Sequence, residues 1–93
     1  MSITVRFLAT LKSVIGKSEI KTEVPTPITL SDFIQHLIRE GYKLEDVIVN
    51  KDLSLIESTI ILVNDLEIGA LDGLDTIIKD GDTVAFIPIV HGG

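Results

Sequence analysis

The chain contains no cysteine and no tryptophan, and only 4% of its 93 residues are aromatic. Without cysteine it can form neither a disulfide framework nor a thiolate metal site, and it has no thiol nucleophile. Any sulfur that it handles must therefore come from a partner. Hydrophobic residues nevertheless make up 45% of the chain, so we expect one domain with an aliphatic core.

Long apolar runs and clusters of basic residues are also missing. The longest apolar stretches, 60–63 and 84–90, fall far short of the roughly 18 residues that a membrane span needs, and 1–11 lacks the layout of a signal peptide. We therefore expect a cytoplasmic protein with no membrane contact. The eight basic residues are scattered and the net charge is −6, which disfavours direct nucleic-acid binding and suits a basic protein partner.

The first third of the chain predicts a hairpin followed by a helix. Apolar and polar residues alternate over 2–8 and again over 19–24, with a break at Gly16-Lys17. Thr29 is a plausible N-cap for a helix that begins at Leu30, and Gly41 is placed to end it in the left-handed conformation. Its apolar face repeats at helical spacing and comprises Leu30, Phe33, Ile34, Leu37 and Ile38.

The second half of the chain predicts three more strands. These are 59–63, a short return strand 66–68 after the tight turn Asn64-Asp65, and a closing strand 83–89. The segment 42–58 is poorly patterned, and we expect one short helix around 44–49.

This order of elements indicates an α+β fold of the β-grasp type over 1–89, followed by a flexible tail over 90–93. We expect a mixed sheet of four to five strands with one main amphipathic helix on one face, and the closing strand beside the first. Alternation then directs Phe7, Val84 and Phe86 toward the helix and Leu8, Ala85 and Ile87 to the other face. Those residues form either an exposed apolar patch or the floor beneath a loop from 42–58.

The chain closes with a proline, Pro88, and then a tail that is poor in side chains and ends in Gly92-Gly93. Such a tail can thread a narrow channel and bring its carboxylate to a nucleotide in a partner's active site. Once the carboxylate is an acyl-adenylate, a sulfur nucleophile can displace AMP. The alternative is that the two glycines are a passive end or an artefact of expression.

Several stretches together resemble the β-grasp sulfur carriers, which include the small subunit of molybdopterin synthase, the thiamine sulfur carrier and the ubiquitin-related modifiers. The resemblance covers the whole chain and is carried by Ile3-Thr4-Val5-Arg6-Phe7-Leu8-Ala9, Leu62-Val63-Asn64, Leu71-Asp72-Gly73-Leu74-Asp75-Thr76, Lys79-Asp80-Gly81-Asp82-Thr83-Val84 and the diglycine end. The chain is long for a thiamine carrier, and its Val90-His91-Gly92-Gly93 ending looks most like the ubiquitin-related modifiers.

The resemblance implies a carrier protein and not an enzyme, with no cofactor of its own. Gly93 would be the adenylated and sulfur-accepting residue, with His91 and Gly92 as the tail, and an E1-like adenylating and sulfurtransferase partner would use ATP and Mg²⁺. The resulting thiocarboxylate would donate sulfur in molybdopterin (molybdenum cofactor) biosynthesis or tRNA thiolation, through a molybdopterin synthase large subunit or a tRNA thiolation enzyme. Alternatively the chain would be a protein modifier joined through Gly93 to target lysines.

The resemblance also implies that Leu8 and Ile87 contact the activating enzyme, with Ile68 as a further member of that surface. A metal site is not expected, because His91 has no second ligand nearby in sequence and Asp80 and Asp82 lack the spacing of a calcium loop. A third reading is a plain β-grasp interaction module with a passive tail.

Overall fold

The computed structural model describes residues 2–44 and 59–88. The predicted helix around 44–49, except for Leu44, and the tail 90–93 lie outside the described residues. The described strands and helices are, in chain order, β1 (Ser2–Phe7), α1 (Thr10–Ile15), β2 (Glu19–Glu23), β3 (Ile28–Thr29), α2 (Leu30–Arg39), β4 (Thr59–Val63), β5 (Leu66–Glu67), β6 (Ile77–Ile78) and β7 (Thr83–Pro88).

The principal sheet has five strands in the order β2-β1-β7-β4-β5. β1 and β7 run parallel, with Phe7 beside Phe86, whereas the other neighbouring pairs are antiparallel. β3 and β6 form a separate two-stranded sheet. The predicted mixed sheet is therefore confirmed, and the closing strand does lie beside the first.

α2 begins and ends where its sequence predicts. The Thr29 hydroxyl accepts a hydrogen bond from the Asp32 backbone N–H at 3.1 Å, which satisfies one of the free donors of the first turn. At the other end Gly41 has a φ of 100°, a conformation that glycine adopts without strain. The Tyr42 N–H then donates to the Leu37 carbonyl at 3.1 Å, which closes the helix with a Schellman motif.

The core lies between the principal sheet and its helices. Phe7, Phe33 and Phe86, the only phenylalanines of the chain, are all fully buried there. The rings of Phe7 and Phe86 have centroids 6.1 Å apart, which joins the two parallel strands by side-chain contact as well as by backbone hydrogen bonds. Aliphatic residues fill the rest, among them Val84 from β7 and Leu30, Ile34 and Leu37 from α2. The predicted inward orientation of Phe7, Val84 and Phe86 is confirmed.

Three features differ from the sequence prediction, and one of them is the small sheet of β3 and β6, which was not expected. A six-residue helix, α1, follows β1 where only a turn was expected, and its Leu11 is fully buried in the core. Such a helix is too short to show a helical period in sequence. The return strand also ends at Glu67 and not at 68. The Glu67 carboxylate accepts a hydrogen bond from the Gly69 N–H at 2.7 Å and so caps a 3₁₀ turn, Ile68–Ala70.

The entry into β7 is held by a clamp between Asn64 and Asp82. The Asn64 side-chain amide donates to Asp82 at 2.9 Å, and its carbonyl oxygen accepts from the Thr83 N–H at 2.9 Å. The second Asp82 oxygen accepts from the Lys79 N–H at 2.8 Å. The stretches 62–64 and 79–84, which both carry the family resemblance, thus contact each other at this clamp. Together they set where β7 begins.

We expect Asn64→Ala to destabilise the fold by about 2 kcal/mol, from two lost hydrogen bonds and from alanine in a left-handed conformation. The φ of Asn64 is 49°. Asp65→Ala is the matched control, since Asp65 in the same turn has a φ of 70° but does not form the clamp. Urea denaturation of both variants measures the difference. An equal loss of stability would show that turn strain, and not the clamp, accounts for the effect.

Candidate functional site

The face of β7 that points away from the core carries Ala85 and Ile87. Side chains alternate along a strand, and Val84 and Phe86 are fully buried on the other face. The antiparallel register with β4 places Ile60 opposite Ile87 and Leu62 opposite Ala85. Four apolar side chains of two central strands therefore share this face.

Leu8 completes the row on the other side of β7. Its backbone N–H donates to the Phe86 carbonyl at 3.1 Å, which continues the parallel pairing of β1 with β7 by one residue. Leu8 consequently lies beside Ile87, one position beyond the pair of Phe7 and Phe86. We call this surface the outer patch, and it comprises Leu8, Ile60, Leu62, Ala85 and Ile87.

The outer patch is partly covered. Ala85 is 7% exposed, whereas the other four side chains are of intermediate exposure. Leu8 and Ile87 thus lie together on one face, as their alternation predicts. Sequence reasoning missed Ile60 and Leu62, because every residue from 60 to 63 is aliphatic and the run shows no polar side.

Ile68 does not belong to this surface. It was expected to join Leu8 and Ile87, but it is only 1% exposed and is part of the hydrophobic core. The register of β4 with β5 already assigns Ile68 to the core face, because Leu66 lies opposite the buried Val63 and Ile68 follows Leu66 by two residues. A partner cannot contact it without unfolding the turn.

The outer patch occupies the end of the sheet toward which β7 runs. Pro88, the last residue of β7, pairs with Thr59, the first residue of β4. The row formed by Leu8, Ile60 and Ile87 therefore lies at the last described positions of β7, next in sequence to residues 89–93. The predicted tail residues His91, Gly92 and Gly93 follow but lie outside the described residues.

The other end of the same face is polar. A shallow cavity of about 330 Å³ opens there, lined by Thr4, Arg6, Glu19, Asn64, Asp65 and Thr83. Its guanidinium, carboxylates and hydroxyls can form hydrogen bonds with a partner's rim. The face is thus divided into an apolar half next to the tail and a polar half at the start of β7.

The described residues include no group of three or more histidine, aspartate or glutamate side chains that could hold a metal ion. His36, on α2, lies 3.2 Å from the Thr22 hydroxyl and 3.3 Å from the Glu40 carboxylate, and its ring stacks on Phe33. These contacts place it in a structural role between α2 and β2. Within 2–44 and 59–88 no helix has the length and apolar character needed to span a membrane.

The model of the ThiS family matches residues 5–93. The chain belongs to this family of ubiquitin-like sulfur carriers. It is 33% identical to small archaeal modifier protein 3 of Haloferax volcanii over the full length of both chains. It is 32% identical to ubiquitin-related modifier 1 of Saccharomyces cerevisiae, in an alignment that covers 100% of this chain and 99% of the relative.

Solved structures agree with this assignment. The crystal structure of SAMP1 from Haloferax volcanii matches this ThiS-family chain with a TM-score of 0.84 at 25% identity, over 100% of both chains. The BexX/CysO complex of Amycolatopsis orientalis contains a chain that matches with a TM-score of 0.78 at 25% identity, over 98% of this chain and 99% of that one. The β-grasp fold and the resemblance to sulfur carriers and ubiquitin-related modifiers are confirmed, and the relatives are small carriers and modifiers and not enzymes.

We expect Leu8→Asp to leave the fold largely intact, with a loss of about 1 kcal/mol or less, because a carboxylate at a half-exposed position can reach water. Phe7→Ala, one residue away, should cost about 3–5 kcal/mol by opening a cavity in the core. Thermal melts of the two variants compare the two faces of β1 directly. If Leu8→Asp proves as damaging as Phe7→Ala, Leu8 is a core residue and the outer patch is misassigned.

Proposed function

We propose that this chain carries sulfur on the carboxyl group of Gly93 after a separate enzyme has adenylated it. Membership of the ThiS family supports the carrier role, and the family match extends to residue 93. The chain supplies a rigid domain to be recognised and a short tail, 90–93, to be modified. The catalytic groups, the ATP and its Mg²⁺ belong to the partner. A cytoplasmic location remains a prediction from the sequence.

The observation that carries this proposal is the position of the outer patch. Leu8, Ile60 and Ile87 form an apolar row at the end of β7 from which the tail departs. Six residue steps lead from Ile87 to Gly93, so the carboxylate reaches at most about 22 Å from the patch when the tail is extended. A partner that binds the outer patch can therefore receive the Gly93 carboxylate in an active site that lies within this distance of the contact.

The chemistry requires three steps at the Gly93 carboxyl group. The Gly93 carboxylate attacks the α-phosphorus of ATP, and pyrophosphate leaves, which gives an acyl-adenylate. A persulfide sulfur of the partner then attacks the acyl carbon and displaces AMP, which gives an acyl disulfide. A second thiol of the partner attacks the partner's own sulfur in that disulfide, so that the S–S bond breaks, the thiocarboxylate leaves and a disulfide remains on the partner. This chain contributes the carboxylate and its access, since glycine lets the tail pass a narrow channel without a side-chain clash.

The partner is an E1-like adenylating and sulfurtransferase enzyme, and the match to a chain of the BexX/CysO complex supports a partner enzyme in kind. The acceptor of the sulfur is a pterin precursor, through a molybdopterin synthase large subunit, or a tRNA uridine, through a thiolation enzyme. A second candidate function is conjugation, in which a target lysine amine attacks the same acyl group. It is favoured by the modifier names of the relatives.

We expect deletion of Gly92 and Gly93 to abolish ATP–pyrophosphate exchange by the activating enzyme. The deletion withdraws the carboxylate by up to about 7 Å and ends the chain on His91. The unfolding temperature should stay nearly unchanged, since the two deleted residues begin four positions beyond Pro88, the last described residue of β7. An added residue after Gly93 should abolish exchange too, unless a protease removes it.

His91→Ala is the matched control for the tail, because it keeps the length and the terminal glycine. Its exchange rate should remain close to that of the natural chain. Equal rates for the natural, shortened and extended chains would mean that the terminus is passive, and the chain would then be an interaction module.

We expect Ile87→Asp to raise the apparent KM of the activating enzyme for this chain by about tenfold or more, because a charge would be buried in an apolar contact. Val14→Asp is the matched control. It introduces the same charge on α1 at a side chain that is 53% exposed and outside the outer patch. Steady-state exchange assays at several chain concentrations measure both. A similar rise for both variants would indicate a general charge effect and not docking at this patch.

A further inference from the structure

A second apolar surface lies away from the outer patch, in a groove of about 240 Å³. Its aliphatic walls come from Val63, Leu66, Leu71 and Ile77. Leu66 is 55% exposed, Ile77 is 47% exposed and Leu71 is 37% exposed, so three of the large exposed apolar residues found among the described residues meet here. We infer that this groove is a second docking site, which takes a basic, aliphatic-rich segment of a partner protein.

The groove lies at the margins of both sheets. Within the described residues, Leu66 belongs to β5, the last strand of the five-stranded sheet, and Ile77 belongs to β6, which pairs with β3 alone. Val63 is 5% exposed and provides a buried wall between them. An incoming segment can therefore contact side chains from two sheet edges at once.

The exposed residues are fixed in place by the backbone around them. The Leu71 N–H donates to the Ile68 carbonyl at 3.0 Å, and the Asp72 N–H donates to the Thr76 hydroxyl at 3.1 Å. The Thr76 carbonyl in turn accepts from the Leu30 N–H at 2.8 Å, which ties this segment to the start of α2. A surface held in this way loses little conformational entropy when a partner binds, so contacts to it yield more affinity.

The negative charge of the chain is concentrated in the segment 64–82, which supplies most of the groove's lining. Residues 64–82 hold six acidic residues and one lysine, a net charge of −5, while all the other residues together hold eight acidic and seven basic residues, a net of −1. Leu66 stands between Asp65 and Glu67, Asp72 follows Leu71, and Asp75 lies two residues before Ile77. Among the described residues that line the groove, Lys79 is the one cation and Asp82 the one carboxylate.

This charge decides which occupant fits. A phosphate-bearing ligand or an anionic membrane would be repelled, and so would a second copy of the chain that presents the same groove. A segment whose leucine-like side chains alternate with lysine or arginine matches both the apolar walls and the exposed carboxylates Asp72 and Asp75, which neighbour Leu71 and Ile77 in the chain. The groove shares only Asn64 with the polar cavity on the outer face, so such a segment leaves the outer patch free.

The test uses a short synthetic peptide in which leucine and lysine alternate, titrated into the ¹⁵N-labelled full chain and followed by NMR. Two matched peptides replace every leucine by serine or every lysine by glutamate. We expect the amides of Leu66, Leu71 and Ile77 to shift with the first peptide, and its affinity to fall as salt is added. We expect both matched peptides to bind at least tenfold more weakly.

Variants of the chain locate the binding. Leu66→Ser combined with Ile77→Ser should weaken the leucine–lysine peptide about tenfold, whereas Val14→Ser, at an equally exposed position on α1, should not change its affinity. Asp72→Asn combined with Asp75→Asn leaves the apolar walls intact and should reduce the dependence on salt, so the proposal stays testable if the serine variant fails to fold. Shifts centred on Leu8 and Ile87, or equal binding of the serine peptide, would overturn the proposal.

Discussion

The parallel pairing of β1 with β7 is the constraint on which the rest of this structure depends. It places β1 and β7 side by side within the five-stranded sheet, and it stacks Phe7 on Phe86 beneath the helices. The same pairing places Leu8 beside Ile87 on the opposite face. Because one backbone register fixes both faces, the core cannot shift without moving the outer patch and the point at which the tail leaves the sheet.

The clamp at Asn64 protects that register at its beginning. Asn64 bonds both Asp82 and the first N–H of β7, and the backbone N–H of Thr4 donates to the Asp82 carbonyl at 3.0 Å. A single turn between β4 and β5 therefore sets where β7 starts relative to β1. A slip of one residue would exchange Val84 and Phe86 for Ala85 and Ile87 in the core, and it is opposed by these polar contacts as well as by packing.

Much of the fold could be predicted from the sequence because its central elements have clear periods. β1 alternates, α2 has a continuous apolar stripe, and Thr29 and Gly41 are its chemical start and stop. The secondary structure of short segments, and of segments without alternating polar residues, was harder to predict. α1 is too short to show a helical period, and β4 is aliphatic at most positions. The 3₁₀ turn that begins at Ile68 depends on a side-chain cap from Glu67. The location of Leu8 and Ile87 followed from alternation, but the contribution of Ile60 required the cross-strand register.

A parallel first and last strand also determines how this chain can be handled in the laboratory. Ser2 lies at the start of β7, where its N–H donates to Asp80 and its carbonyl accepts from Gly81, while Pro88 lies at the other end of the same strand. Five residue steps of about 3.3 Å separate Thr83 from Pro88, so the two ends of the sheet are roughly 17 Å apart. A fluorophore or purification handle joined ahead of Ser2 would sit at the end of the sheet opposite Pro88, and it would leave the Gly93 carboxylate unencumbered during the exchange assays proposed above.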